Sequence, residues 1–80
     1  MISYSEKITI DTWVQVASDG EDYILQNKGD NKLLVKAGAQ PTSADGSIEL
    51  DGKGVITSTI MSGNIWVRAL GETVTIAYAK

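Results

Sequence analysis

The feature that most constrains this chain is a short-period alternation of apolar and polar residues that never lengthens into a helical stripe. Ile8 and Ile10 flank Thr9, and the same spacing recurs at Val14 and Val16. Successive side chains of a strand point to opposite faces, so a period of two predicts strands with one buried face. Gly, Asp or Asn closes each burst, as turns between strands require. We therefore expect an all-β chain.

Seven or eight such strands, spaced about ten residues apart, fit into the sequence and are typical of a β-sandwich, a jelly-roll-like barrel or another small barrel. The predicted strands cover residues 5–10, 12–17, 22–27, 32–39, 47–50, 55–61, 65–70 and 73–79. No change of composition divides the chain, which predicts a single antiparallel β domain over residues 1–80. Residues 38–46 contain the only proline and lack periodicity, so we expect a surface loop there.

Alternation assigns a set of apolar residues to the core. Its members are Ile8, Ile10, Val14, Val16, Ile24, Leu34, Ile48, Leu50, Ile56, Ile60, Ile65, Val67, Val74 and Ile76. A second apolar set falls on the opposite face of the same strands, and Arg68 shares the side of Trp66. That set consists of Trp13, Tyr23, Leu25, Leu33, Val35, Trp66 and Leu70. The run Leu33-Leu34-Val35 further predicts that both faces of its strand are covered.

Two interpretations of the second set are open. A single-residue bulge inverts the faces of everything after it, in which case the tryptophans are core residues. Alternatively, the second face is an interface, because Trp and Arg are enriched at interface centres and small domains without disulfides or metals often complete their core by oligomerising. The candidate interface residues are Trp13, Tyr23, Leu33, Val35, Trp66, Arg68 and Leu70.

Residue chemistry argues against an enzyme. The chain has no cysteine and no histidine, so thiol nucleophiles, the commonest metal ligands and the commonest general base are missing. No Gly-x-Ser-x-Gly elbow accompanies the serines, and the acidic turns lack the Asp-x-Asp-x-Asp-Gly calcium pattern. We expect no catalytic residue, no metal and no cofactor. A small hydrolase is the least favoured function.

Charge narrows the possible partners. A net charge of -3 with only seven Lys and Arg argues against nucleic acid and anionic membranes, since both attract basic surfaces. The sequence has no basic leader before an apolar segment and no run of about 18 apolar residues, which predicts a chain made and kept soluble.

Five segments together carry a resemblance to a known group of proteins. They are Trp-Val-Gln-Val at 13–16, Tyr-Ile-Leu-Gln-Asn-Lys-Gly at 23–29, Leu-Leu-Val-Lys-Ala-Gly-Ala-Gln-Pro at 33–41, Ile-Glu-Leu-Asp-Gly-Lys-Gly-Val at 48–55 and Asn-Ile-Trp-Val-Arg-Ala-Leu-Gly at 64–71. Over residues 12–79 the chain resembles the short β-sandwich accessory proteins of tailed-bacteriophage virions. Where those proteins often have Pro-Gly after the leucine, this chain has Asp51-Gly52.

The resemblance implies a non-enzymatic structural protein of the virion, made in the host cytoplasm and carried as a capsid decoration or a tail component. It also implies other virion proteins as partners and a homo-oligomer, with a trimer favoured. Under this reading Trp13, Trp66 and Arg68 contact subunits or the capsid, and the loop with Gly38, Gln40, Pro41 and Asp45 docks. The alternative is a small carbohydrate-binding or host-surface-recognition module with a platform formed by Trp13, Tyr23 or Trp66.

Overall fold

The structure, a computed structural model, describes residues 1–80 as eight β-strands without a helix. The strands are β1 (Ser3–Ile8), β2 (Val14–Ala17), β3 (Ile24–Asn27), β4 (Leu33–Ala37), β5 (Ile48–Leu50), β6 (Val55–Thr57), β7 (Ile65–Ala69) and β8 (Val74–Ala79). Every predicted strand is present. The largest difference is at residues 55–61, where β6 ends at Thr57 because a turn begins there, closed by the bond from the Ile60 amide to the Thr57 carbonyl at 3.0 Å.

Two antiparallel four-stranded sheets pack face to face. Sheet I has the strand order β1-β8-β3-β6, and sheet II has the order β2-β7-β4-β5. Strand β1 pairs with β8, β2 with β7, β3 with β6 and β4 with β5, so the chain forms one long hairpin that is folded over on itself. Further pairing of β3 with β8 and of β4 with β7 completes the sheets. This nested arrangement is a jelly roll, and the predicted fold class is confirmed.

The core lies between the two sheets. Its buried residues are Ile8, Val16, Ala17, Tyr23, Leu25, Leu33, Val35, Ile56, Ile65, Val67, Ala69, Val74, Ile76 and Tyr78, with Val14, Leu50 and Met61 packed at the margin. Aliphatic side chains dominate, and two tyrosines supply the bulk that phenylalanine provides in other sandwiches. Each fully buried aliphatic side chain contributes about 1.5–3 kcal/mol relative to exposure.

Several face assignments made by alternation are wrong. Ile10, Ile24 and Ile48 were assigned inward, yet each is nearly half exposed. Ile24 adjoins Leu25, and pairing of Leu25 with Tyr78 and Ile56 turns Leu25 into the core and Ile24 outward. Alternation could not choose between two adjacent apolar residues.

Two further assignments are corrected by the ends and pairings of strands, and Val16 lies in the core as predicted. Ile60 lies in the turn after β6 and is 72% exposed. Leu34 is buried, but on the face of sheet II that points away from the core, because its pairing partners are Arg68 and Glu49. The register of β2 shifts between Gln15 and Ala17, and this bulge turns both Val16 and Ala17 inward.

One polar side chain is fully buried. The Asn27 amide nitrogen donates to the Asn31 carbonyl at 2.7 Å and to the Leu50 carbonyl at 3.2 Å, and the Gly29 amide donates to the Asn27 side-chain oxygen at 3.0 Å. These bonds join the turn after β3 to the turn after β5. The same two turns are in such close contact that a Cβ on Gly52 would lie 2.8 Å from the Asp30 backbone.

Candidate functional site

The outer face of sheet II is covered by the chain's own loop. Leu34, which points to this face, is only 3% exposed. The Trp66 indole nitrogen donates to the Gly38 carbonyl at 3.0 Å, and the Lys36 ammonium donates to the Ser43 carbonyl at 3.4 Å. Side chains of β4 and β7 therefore hold residues 38–46 over the sheet, which confirms that both faces of β4 are covered.

Trp13 and Arg68 form a pair beside this covered region. The Arg68 guanidinium carbon lies 5.1 Å from the centre of the Trp13 ring, within the range of a cation-π contact, and both residues are half-buried. Arg68 forms no salt bridge, and its Nε is buried without a hydrogen-bond partner. Trp66 and Arg68 share a face as predicted. Both side chains already make contacts within the protomer, Arg68 with Trp13 and Trp66 with Gly38.

The structure separates the predicted interface residues. Tyr23, Leu33 and Val35 lie in the core between the sheets, so they are not part of any outer surface. The Tyr23 hydroxyl donates to the Met61 carbonyl at 2.5 Å. Leu70, just after β7, is 43% exposed. The predicted set therefore forms no common surface, and the aromatic residues proposed as a carbohydrate platform lie on opposite sides of sheet II.

The predicted docking loop is folded back against the domain. Pro41 is buried. The Gly38 carbonyl accepts the hydrogen bond from the Trp66 indole, and the Gly38 amide donates to the Asn64 carbonyl at 2.9 Å. Gln40 and Asp45 remain exposed. The loop is a cover for sheet II rather than an extended tip, and of the four residues predicted to dock only Gln40 and Asp45 present side chains to solvent.

The outer face of sheet I is open and almost uncharged. Strand pairing places the following residues on it: Ser3, Ser5 and Lys7 from β1, Thr75, Ala77 and Ala79 from β8, Ile24 and Gln26 from β3, and Val55 and Thr57 from β6. Lys7 is the only charged residue among them, although 21% of the chain is charged. Ile24 is 44% exposed and Val55 48%. Its four apolar residues, Ile24, Val55, Ala77 and Ala79, are exposed or half-buried.

A depression of about 190 Å³ lies in this face. It is lined by Ser3, Tyr4, Ile24, Gln26, Val55, Ala77, Tyr78 and Ala79. No charged side chain lines it, and its polar groups are limited to hydroxyls and one amide. Such a lining suits packing against apolar groups, since a catalytic cleft requires acids, bases or charged groups that converge on a substrate.

An aromatic pair borders the depression at the edge of the sandwich. The rings of Tyr4 and Tyr78 stack with centres 5.0 Å apart, and the Lys80 ammonium lies 5.8 Å from the centre of the Tyr4 ring. Burial, and secondarily the charge of Glu6, raises the pKa of the Tyr78 hydroxyl. This aromatic contact joins the first strand, β1, to the last strand, β8.

Two other titratable groups have raised pKa values. Burial raises the pKa of Tyr23, and a hydrogen bond to Glu49 raises the pKa of Lys32 on the surface. No cluster of three or more acidic residues has a geometry that would hold a metal ion. No helix is present that is long and apolar enough to cross a membrane.

Sequence reasoning missed the open face of sheet I, although β8 carries a signal for it. Thr75, Ala77 and Ala79 alternate with core residues, yet they are small and neutral where solvent-facing positions usually carry charge. A strand whose outer positions avoid charge predicts a covered or contact-forming face.

The fold and this open face define a small jelly-roll domain that presents one sheet face with a single charged residue, Lys7. In comparisons with models of known protein families, with curated proteins and with solved structures, the chain matches none of them.

Proposed function

We propose that the protein is a non-enzymatic structural subunit of a tailed-phage virion, a capsid decoration or a tail component, that docks through the outer face of sheet I. The observation that carries the proposal is that Lys7, on the edge strand β1, is the only charged residue of this face, where Ile24 and Val55 expose nearly half of their surfaces. The docked partner is a neighbouring virion protein with a complementary apolar surface.

Composition supports an interface at this face. Interface centres are depleted of charged residues relative to the rest of a protein surface. Here the charged residues lie in turns, at strand edges and on sheet II, whereas the middle strands of sheet I carry none on their outer side. Burying Ile24 and Val55 against a partner removes apolar surface from water and costs no charge desolvation.

The size of the face fits a partial contact. The strands β1, β8, β3 and β6 are six, six, four and three residues long, and at about 3.4 Å per residue and about 4.8 Å per strand they cover a planar area of about 300 Å². Apolar patches of about 300–600 Å² on monomers are often functional, but a stable interface buries about 800 Å² per partner. The face therefore needs a second contact to hold the subunit in an assembly.

The architecture and the resemblance support the choice of a virion. Jelly rolls recur in viral capsid proteins, and they also occur in lectins and cupins, so this support is an analogy of fold. The sequence resembles virion accessory proteins over residues 12–79, and the chain has no catalytic set.

The proposal can be tested on phage particles that are purified from cultures expressing the gene. Mass spectrometry should detect the wild-type chain in the particles. Ile24→Lys and Val55→Lys place a charge in the open face and should reduce incorporation at least tenfold, whereas Leu70→Lys and Ile48→Lys should not. The control residues are exposed to the same degree, 43% and 46% against 44% and 48%, but lie outside this face.

Two outcomes would contradict the proposal. Absence of the wild-type chain from particles would exclude a virion role. Equal incorporation of all four variants would show that the outer face of sheet I makes no contact there. Since all four side chains are largely exposed, their thermal unfolding should stay close to that of the wild type.

A further inference from the structure

The four edge strands of the sandwich are not equally protected. Strands β5 and β6 are three residues long, and β2 has four residues with a bulge. Short edges, bulges and charged side chains, Lys above all, are devices by which native proteins prevent edge-to-edge pairing. Strand β1 is six residues long and keeps an unbroken register with β8, so it lacks the first two devices, although it carries Glu6 and Lys7. It is the longest unbroken edge of the sandwich, and its two charges limit the registers in which another strand fits.

The phase of the β1–β8 ladder determines which backbone groups of β1 are free. The Ile2 amide donates to the Lys80 carbonyl at 2.8 Å, and the Lys80 amide donates to the Ile2 carbonyl at 3.0 Å. Bonded pairs alternate along an antiparallel ladder, so the even-numbered residues of β1 bond to β8. The amides and carbonyls of Ser3, Ser5 and Lys7 point away from sheet I, and all three residues are exposed.

We propose that β1 pairs antiparallel with β1 of a second copy of this chain about a two-fold axis at Ser5. The free groups then form about six backbone hydrogen bonds, from the Ser5 pair and from the two Ser3–Lys7 pairs. The two sheets I join into one eight-stranded sheet, since each contributes four strands. The contact is isologous and closes at two copies.

Charge selects this register over its neighbours. With the axis at Ser5, each Lys7 faces Ser3, and each Glu6 faces Tyr4, whose hydroxyl can donate to a carboxylate. Moving the axis to Glu6 sets two carboxylates directly opposite each other, and moving it to Lys7 sets two ammonium groups opposite each other. Like charges directly opposite destabilise a strand pair. An axis at Tyr4 sets Lys7 opposite Met1, which lies outside β1.

The dimer also supplies the missing area of the docking face. Joining the sheets places two open faces side by side, which raises the planar area from about 300 Å² to about 600 Å² and approaches the size of a stable interface. The inference thus deepens the proposed function and rests on it for the role of the dimer. The pairing itself is testable without a virion.

A charge-swap pair of variants tests the dimer. Light scattering of the wild type at micromolar concentration should give twice the 8.5 kDa mass of the chain. Ser5→Lys and Ser5→Glu each set like charges against each other at the axis, and each should weaken dimerisation at least tenfold. An equimolar mixture should restore the dimer, because Lys and Glu then face each other. Val55→Lys, on the opposite edge of the same face, should stay dimeric.

The outcomes separate this inference from the proposed function. A monomeric wild type, a trimer, or dimers that persist in both Ser5 variants would overturn the pairing of β1. Single variants that are monomeric but do not recombine would overturn the register. A Val55→Lys variant that is dimeric in solution but missing from virion particles would support both the pairing of β1 and the docking face. A wild-type protein that is dimeric but missing from particles would support the pairing of β1 and reject the virion role.

Discussion

Replacing Asn27 with Leu tests how much the buried amide contributes to the fold. The two side chains have similar shapes, but Leu neither donates nor accepts hydrogen bonds. The substitution therefore leaves the carbonyls of Asn31 and Leu50 and the amide of Gly29 without their partner, at a site where Asn27 is fully buried. The two turns that Asn27 joins should separate.

The magnitude follows from these three bonds. Each is 3.2 Å or shorter and partly buried, and a hydrogen bond within a protein contributes about 1 kcal/mol net, so the expected loss is about 3 kcal/mol. Domains have about 0.05–0.15 kcal/mol of stability per residue, which gives about 4–12 kcal/mol for this chain. The loss should lower the melting temperature by roughly 12–24 °C.

Urea unfolding followed by the fluorescence of Trp13 and Trp66 measures the change in the free energy of unfolding. Asn64→Leu is the matched control, since the Asn64 side-chain oxygen accepts bonds from Asp19 and Gln15 at a half-exposed site that water can enter. It should cost under about 1 kcal/mol. A loss at Asn27 no larger than that at Asn64 would refute the assignment of Asn27 as the link between the turns.

Two further predictions concern a close approach and the response to pH. Gly52→Ala should lower the free energy of unfolding by about 1–3 kcal/mol in calorimetry, because the new Cβ would lie 2.8 Å from the Asp30 backbone. The control is Gly71→Ala, whose Cβ would have no atom within 4 Å and which should change the free energy of unfolding by no more than about 0.5 kcal/mol. Equal melting temperatures of the two variants would contradict this prediction. Burial raises the pKa of Tyr23 and Tyr78, so the folded state holds these protons more tightly than the unfolded chain. The free energy of unfolding should therefore show no loss from these groups below about pH 10 and should fall as the pH rises further, and an increase measured by urea unfolding would contradict the sign.

The strands were predictable because local chemistry determines them. In β8, Val74 and Ile76 alternate with Thr75 and Ala77, and turn residues bound most of the strands. The period of two and the spacing of the turns were sufficient to predict a small jelly roll or sandwich. They required no knowledge of which strands are neighbours.

The faces of several strands were not predictable in this way. Where two adjacent residues are apolar, as at Ile24 and Leu25, alternation is compatible with either orientation. The choice depends on β8 and β6, which lie far away in the sequence and set the register. The same holds for the stacked pair of Tyr4 and Tyr78, which the pairing of the first strand with the last brings together.

The candidate site, like the strands, was predictable where local sequence determines it and not where tertiary contacts do. The sequence correctly placed Trp66 and Arg68 on one face, but it did not show that residues 38–46 fold over the neighbouring part of that face. A loop's return path depends on tertiary hydrogen bonds such as that from Trp66 to Gly38. Covering one sheet left the other as the open surface, and only the small outer residues of β8 indicated it.

The nested strand order also constrains when the protein can fold. Strand β8 lies between β1 and β3 in sheet I, and β7 lies between β2 and β4 in sheet II. Residues 65–79 supply β7 and β8, so neither sheet is complete until these strands have been synthesised, although β3 can pair with β6 and β4 with β5 before then. Synthesis proceeds at about 5–20 residues per second, and chains dominated by distant pairings fold in milliseconds to seconds. The outer strands β1 and β2 therefore stay without their partners until β7 and β8 insert, and their unpaired backbone groups are accessible to chaperones during that time.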